Sequence, residues 1–342
     1  MMEAMPFLLT LLLAMNIAPG VGQPEYRQPQ LDAKANLVAL TFGAGNSIYF
    51  AASHDGGATL STPLKVAEAE GLMLGRHRGP RIAIAGNTIV ISAVAKELKS
   101  WRSTDGGKSW SEGVIINDKP SAAREGLHAM AAGPDGKLFA AWLDDRVKGK
   151  QLYGASSSDG GATWSKNVLI YESPSGTICQ CCHPSLAIDS KGVIHVMWRN
   201  AIDGYRDLYM ADSANGVTFS KAQKLGEGSW KLEACPMDGG GIAADSQGRL
   251  ITVWRRESSV YIAEPGAAEQ MIEAGKDAAV AAGNKGVYAV WSSGAGVHAR
   301  VPGQTKPVSL STMGGFPQVV ALPDGSAVAA WEEHGKIEWR KL

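Results

Sequence analysis

Four segments of this chain repeat one short pattern: Ser, any residue, Asp or Asn, one or two glycines, a hydroxyl residue and a bulky apolar residue. They span residues 53–60, 103–110, 157–164 and, one residue shorter, 213–219. The acidic or amide positions are Asp55, Asp105, Asp159 and Asn215, spaced by 50, 54 and 56 residues. The chemistry is that of a hairpin turn. The side-chain oxygen accepts turn N–H groups, and the glycines reach φ > 0 without strain. A pattern recurring at this period marks one supersecondary unit stacked many times.

A second repeat extends the count. Strand pairs with a polar turn recur, and the second strand often ends in tryptophan. Residues 138–142, 193–198, 250–254, 287–291 and 327–331 end in Trp142, Trp198, Trp254, Trp291 and Trp331. Residues 36–42 and 88–94 occupy the same place in the first two units. The units begin near Gln28, His77, Gly126, Cys182, Pro236, Asp277 and Phe316. Seven four-stranded antiparallel units make an all-β propeller, with a six-bladed ring as the alternative. The last unit shows three strands, and the segment 23–27 is expected to supply its fourth, which removes the open sheet edge. Composition agrees: 41 glycines and only 19% charged residues suit strands and tight turns. The 33 basic and 33 acidic residues cancel, so no bulk field points to nucleic acid or an anionic membrane.

The first 22 residues read as an export signal. Residues 7–17 form an apolar run too short to span a bilayer. Gly20 and Gly22 are small residues at signal-peptidase spacing, which predicts cleavage before Gln23 and a propeller over 23–342. The n-region carries Glu3 and no Lys or Arg. The expected location is periplasmic or extracellular, with no membrane span.

In a propeller blade the strands run outward from the channel. The boxed turns join the third strand to the fourth, so the fourth-to-first and second-to-third loops share the opposite face. Arg78, Arg81, His128, Cys179, Cys181, Cys182, His183, Cys235 and Asp238 fall on the first kind of loop. Asp144, Asp145, Arg146, Arg199, Tyr205, Arg206 and Arg255 fall on the second. Blades 2 to 5 therefore concentrate charge at one mouth, and blades 6 and 7 look plain there. An arginine cluster favours a carboxylate, sulfate or phosphate ligand, because guanidinium offers a two-pronged donor.

The boxes resemble the Asp box of sialidases and related propellers, and the chain is similar to that superfamily over residues 28–342. The resemblance implies that the boxed Asp55, Asp105, Asp159 and Asn215 are structural and lie away from the active face. It also implies an anionic sugar held by three arginines, a Tyr–Glu nucleophile pair and an Asp acid/base. Arg81, Arg199 and Arg255 become the candidates for anion contact, Asp144 or Asp145 for acid/base, and Tyr205 for the nucleophile. The family's early Arg-Ile-Pro motif has only a partial echo in Pro80-Arg81-Ile82-Ala83.

The four cysteines admit three readings, of which free thiols are one. In an exported protein they form disulfides, with Cys235 paired to Cys181 or Cys182. Alternatively the thiolates, with His183 and His128, hold copper or zinc. The sequence requires no other cofactor. Three functions stay open: an enzyme acting on an anionic glycan, a propeller that binds a protein or glycan without turnover, and a Cys/His metal protein.

Overall fold

Seven second-position strands are apolar almost without interruption. A strand buried on both faces must be so, because neighbouring blades cover both of its sides. Residues 138–144 are buried at every position. The computed structural model describes residues 15–342, and these form seven four-stranded antiparallel sheets. The count is seven blades, not six.

Strand β1 (Met15–Ile17) precedes the ring. Blade 1 is β2 (Arg27–Lys34), β3 (Leu37–Ala44), β4 (Ser47–Ser53) and β5 (Leu64–Glu68). Blade 2 is β6 (Arg81–Ala85), β7 (Thr88–Ala95), β8 (Glu97–Ser103) and β9 (Val114–Ile115). Blade 3 is β10 (His128–Ala132), β11 (Leu138–Asp144), β12 (Gln151–Ser157) and β13 (Val168–Tyr171). Blade 4 is β14 (Ser185–Ile188), β15 (Ile194–Arg199), β16 (Leu208–Ser213) and β17 (Gln223–Lys224). Blade 5 is β18 (Gly241–Ala244), β19 (Leu250–Arg256), β20 (Ser259–Ala263) and β21 (Gln270–Ala274). Blade 6 is β22 (Lys276–Gly283), β23 (Gly286–Ser293), β24 (Gly296–Arg300) and β25 (Val308–Ser311). Blade 7 is β26 (Gly315–Ala321), β27 (Ala327–Glu333) and β28 (Lys336–Lys341), completed by β1.

The closing strand is a correction. The segment 23–27 was expected to fill the fourth place. Instead β1 pairs antiparallel with β28, Met15 opposite Trp339 and Ile17 opposite Ile337. Pro24 has no N–H to give to a ladder, whereas 15–17 contains no proline. Tyr26 lies against Phe42 and Tyr49 at ring separations of 4.5 and 5.5 Å. Residues 1–14 of the expected leader lie outside the described residues. β1 itself lies upstream of the expected cleavage point, so cleavage before Gln23 and β1 pairing exclude each other in one molecule.

The boxes form the expected turns. Asp105 accepts Ser103 Oγ at 2.7 Å, the N–H groups of Lys108 and Ser109 at 3.0 Å, and Ser109 Oγ at 2.6 Å. Asp55 and Asp159 do the same, and hydrogen bonds hold all three carboxyls below the usual range. Asn215 keeps the amide acceptor role through Val217 and Thr218. The box aromatics pack on the preceding blade. Trp110 meets Phe50 edge-on at 5.3 Å, and Trp164 Nε1 donates to Ser100 Oγ at 2.9 Å. Gly107 shows why: at φ 91° a Cβ there would sit 2.1 Å from Phe50 Cε1. The box is thus a clamp onto the blade before it. The Gly56 N–H donates to Asn36 O on the boxed face, and the Ala69 N–H to Asn46 O on the other. The two loop classes separate as anticipated. No helix long and apolar enough to cross a membrane occurs among the described residues.

Candidate functional site

The first strands of all seven blades line the central channel. Its upper end is bordered by Gln30, His77, Arg81, His183, Ser185 and Gln318. The loop before β6 brings His77 over this mouth. His77 Nε2 lies 2.9 Å from Asp277 Oδ1 of blade 6. Its ring stacks on His183 of the blade 4 loop at 4.2 Å and meets Phe316 of blade 7 edge-on at 5.2 Å. One residue therefore ties three other blades across the axis. Gln28, His77, Met237, Asp277 and Phe316 all have φ between 51° and 66°. Left-handed backbone at five non-glycine residues around one mouth is stored strain of the kind that collects at functional sites.

A cleft on the same face runs between blades 6, 7 and 1. Arg27, Lys276, Asp277, Phe316, Glu332 and Glu333 border it. Glu332 Oε1 accepts the Gln28 N–H at 2.5 Å and Gln28 Nε2 at 2.9 Å, and Oε2 lies 3.8 Å from Arg27 Nε. Burial raises the Glu332 carboxyl above its ordinary range, despite Gln28, Arg27 and His77. Burial would also raise Asp277, but the His77 hydrogen bond and charge, with Lys276, hold it below the ordinary range. Two carboxyls on one cleft are thus pushed toward opposite protonation states. Asp238 sets Asp277 in place: its Oδ2 accepts the Asp277 N–H at 2.8 Å, and its Oδ1 accepts the Gly240 N–H at 3.1 Å.

The residues singled out from sequence are placed as follows. Arg81 is buried in the channel wall. It donates to the carbonyls of His128, Gly79, Pro80 and His77, and burial lowers it to about 10. His128 is fully buried beside it, with Nε2 3.0 Å from Ser92 Oγ and Nδ1 without a partner. Burial, then Arg81, lowers His128 to about 3. Arg199 donates to the carbonyls of Asp238, Arg206 and Arg255. Arg255 turns to Glu257 O, and both guanidinium groups lie about 5.5 Å from the Trp230 ring. Asp144 is buried and accepts Trp142 Nε1 at 2.7 Å and the Arg146 Nε at 2.8 Å. Glu333 repeats that indole partnership with Trp331 in blade 7. Asp145 pairs with Arg124 and Lys150, and Lys150 and Arg78 both pair with Glu125. Tyr205 is 41% exposed on its loop. The structure thus joins Arg78, Asp144, Asp145 and Arg146 into ion-pair networks over blades 2 and 3, and leaves Tyr205 apart from them.

The Asp277–Glu332 pair was not picked out from sequence. A register signal was present. Arg199, Arg255 and Glu332 each directly follow the terminal tryptophan of a second strand. Aligning the blades puts Glu332 in the same place as the two arginines. Gln28, His77, Asp277 and Phe316 are likewise equivalent unit-start positions.

The cysteines meet in the loop before β14. Cys181 is bonded to Cys235, one of the two expected pairings, and Cys179 and Cys182 are free. The hydrogen bond between Cys179 and Cys182 lowers Cys179 to about 7, and burial raises Cys182. His183 Nε2 is 3.1 Å from Gly240 O, and its Nδ1 accepts the Gly239 N–H at 3.3 Å. Burial, with His77 and Arg81, keeps His183 neutral.

No protein-family model matches the chain, and no curated protein matches it in sequence. Solved structures match its fold. An ulvan lyase, from a new family of polysaccharide lyase, gives a TM-score of 0.59 at 10% identity over 95% of each chain. A catalytically inactive virginiamycin B lyase from Staphylococcus aureus, with quinupristin, gives 0.60 at 11% identity over 96% of this chain and 98% of that one. The leech intramolecular trans-sialidase gives 0.53 at 12% identity over 94% and 68%. At such identities the likeness is one of fold. The fold is a seven-bladed β-propeller with Asp-box turns.

Proposed function

We propose that this protein is an exported glycan-processing propeller that cleaves an anionic saccharide in the cleft between blades 6, 7 and 1. One observation carries the reading: Asp277 and Glu332 border one cleft and are pushed apart in protonation. Two carboxyls so divided are the working parts of acid–base glycoside cleavage. Glu332, whose carboxyl burial raises above its ordinary range, serves as general acid. Asp277, kept ionised and oriented by His77 and Asp238, serves as the opposing carboxylate. Arg27 and Lys276, set among the carboxyls of Glu25, Asp277, Glu332 and Glu333, are the cleft groups that would meet a negatively charged sugar. Fold neighbours that include a trans-sialidase and an ulvan lyase support glycan chemistry, and the apolar leader with the Cys181–Cys235 bond supports export.

The test is a panel of sialosides and uronate-containing glycans, with Glu332→Gln and Asp277→Asn beside the wild type. Turnover lost in both variants supports the reading. No turnover on the panel, with ligand binding unaltered by either change, removes it. A second reading is a non-catalytic glycan binder. It is favoured by Arg81, Arg199 and Asp144, whose polar atoms are spent on the protein's own groups. Glycan-array binding without hydrolysis or elimination selects it.

A further inference from the structure

The cysteine cluster stands apart from the cleft and has its own geometry. The sulfurs of Cys179, Cys181 and Cys182 are separated by 3.4, 3.7 and 4.0 Å. The point equidistant from them lies about 2.2 Å from each, against about 2.3 Å for a zinc–thiolate bond. An ion therefore fits among the three sulfurs where they stand. At full bond length it sits roughly 0.8 Å above their plane, which is tetrahedral geometry with one position open. Cys235 is the remaining thiol of the chain and its sulfur is already at Cys181.

The surroundings suit a soft cation. All three cysteines are buried, and the Met237 side chain packs on them. The Cys179 N–H donates to Arg199 O at 3.1 Å, and the Ile178 N–H to Lys150 O at 3.0 Å, so the loop is fixed at its start. Both nitrogens of His183 are engaged by Gly239 and Gly240, which leaves a sulfur-only donor set. Such sets select thiophilic ions.

Charge supplies an independent argument. Arg199 is 1% exposed, and its guanidinium donates to three carbonyls and lies 5.5 Å from the Trp230 ring. Among the described residues it forms no ion pair with a carboxylate. A buried cation with only dipolar and aromatic partners is costly unless an anion lies near. Thiolates carrying a metal with net negative charge would complete it.

We infer that Cys179, Cys181 and Cys182, joined by Cys235, form a site for a thiophilic d10 cation, Cu(I) or Zn(II), and that the Cys181–Cys235 bond is the metal-free state of the same site. Opening it takes two electrons and two protons from a dithiol reductant, which itself becomes a disulfide. The metal then displaces one proton from each thiol it binds. A disulfide-bearing oxidant takes the two electrons back, picks up two protons from solvent and becomes a dithiol; Cys181 and Cys235 re-bond, two ligands are lost and the ion is released.

The full chain is reduced anaerobically with a phosphine, freed of reductant and titrated. One arm uses Cu(I) against a Cu(I)-specific chelator, and the other uses Zn(II) against a zinc chelator dye. One tightly bound equivalent in the reduced protein, with a sulfur-to-metal absorption band and less than a tenth of an equivalent in the oxidised protein, is the expected result. The arm that binds more tightly names the ion. Cys182→Ser should weaken binding more than tenfold. A metal-dependent rise in the melting temperature of reduced wild type, absent when oxidised, gives the same answer without a variant. No stoichiometric binding in either arm, or Cys182→Ser binding as tightly as wild type, overturns the inference. Glycan turnover is not read here, so this failure and failure of the glycan reading are separate.

Discussion

Asp277→Asn removes one charge and almost no volume, so it isolates what the carboxylate does. The pair it forms with His77 is shielded: the two side chains are 7% and 8% exposed. Solvent screens such a pair little, unlike a surface ion pair. A buried hydrogen bond to a charged group contributes about 1.5–3 kcal/mol. The backbone bond from Asp277 to Asp238 survives the change, so the loss should fall near ~2 kcal/mol at pH 6. Urea unfolding should show it as a lower midpoint with an unchanged slope. The pH dependence gives the sharper check. Asp277 titrates below its ordinary range in the folded chain. It therefore stabilises fully above the unfolded value of about 3.9, and the contribution fades as pH falls through the lower folded value. The gap between wild type and variant should be widest above about pH 4 and close below it. A gap that stays constant to about pH 3, or one under ~0.5 kcal/mol at pH 6, would refute the buried-pair argument.

Glu332→Gln should lower kcat at least about 100-fold, with the wild-type profile losing activity as pH rises through the elevated Glu332 value; a profile with no alkaline limb from this residue contradicts its role as acid. His128 is held near 3 in the fold against about 6.5 unfolded, so wild-type stability should drop by ~3 kcal/mol between pH 6.5 and 4 as the unfolded state takes up the proton. His128→Gln should flatten that slope, as followed by denaturant melts across pH. Trp164→Ala should cost about 2 kcal/mol, less than a fully buried tryptophan, because the ring is only partly covered against blade 2; a melt unchanged from wild type would show that the box does not clamp.

The ring was legible because its repeats are local. Each box closes its own turn through residues two to four apart, as Asp105 does with Ser103 and Ser109. The terminal tryptophans mark strands that must be covered on both faces. The mouth was harder, because its contacts run between distant blades. His77 and Asp277 are 200 residues apart, and Gln28 and Glu332 are 304 apart. Charge crowding directed attention to blades 2 to 5, where Asp144 and Arg146 satisfy each other. Blades 6 and 7 looked plain because Asp277 and Glu332 are 55 residues apart in sequence (332 − 277) and border one cleft only on ring closure. Cysteine pairing was legible to within one choice of partner, since only Cys235 comes from another blade.

The β1–β28 pairing makes the order of events on the ribosome matter. Met15 leaves the ribosome long before Trp339, yet they are partners. Six blades can stack while the seventh still lacks its outer strand, so closure is the final and most non-local step, where folding is slow. The segment that latches the ring also overlaps the apolar stretch expected to direct export. Removal of that stretch before closure would leave β28 with a free row of N–H and C=O groups, an invitation to a strand from another chain. Whether the mature protein starts at Gln23 therefore decides between a monomer sealed by its own first residues and a ring whose seventh blade is available for a partner.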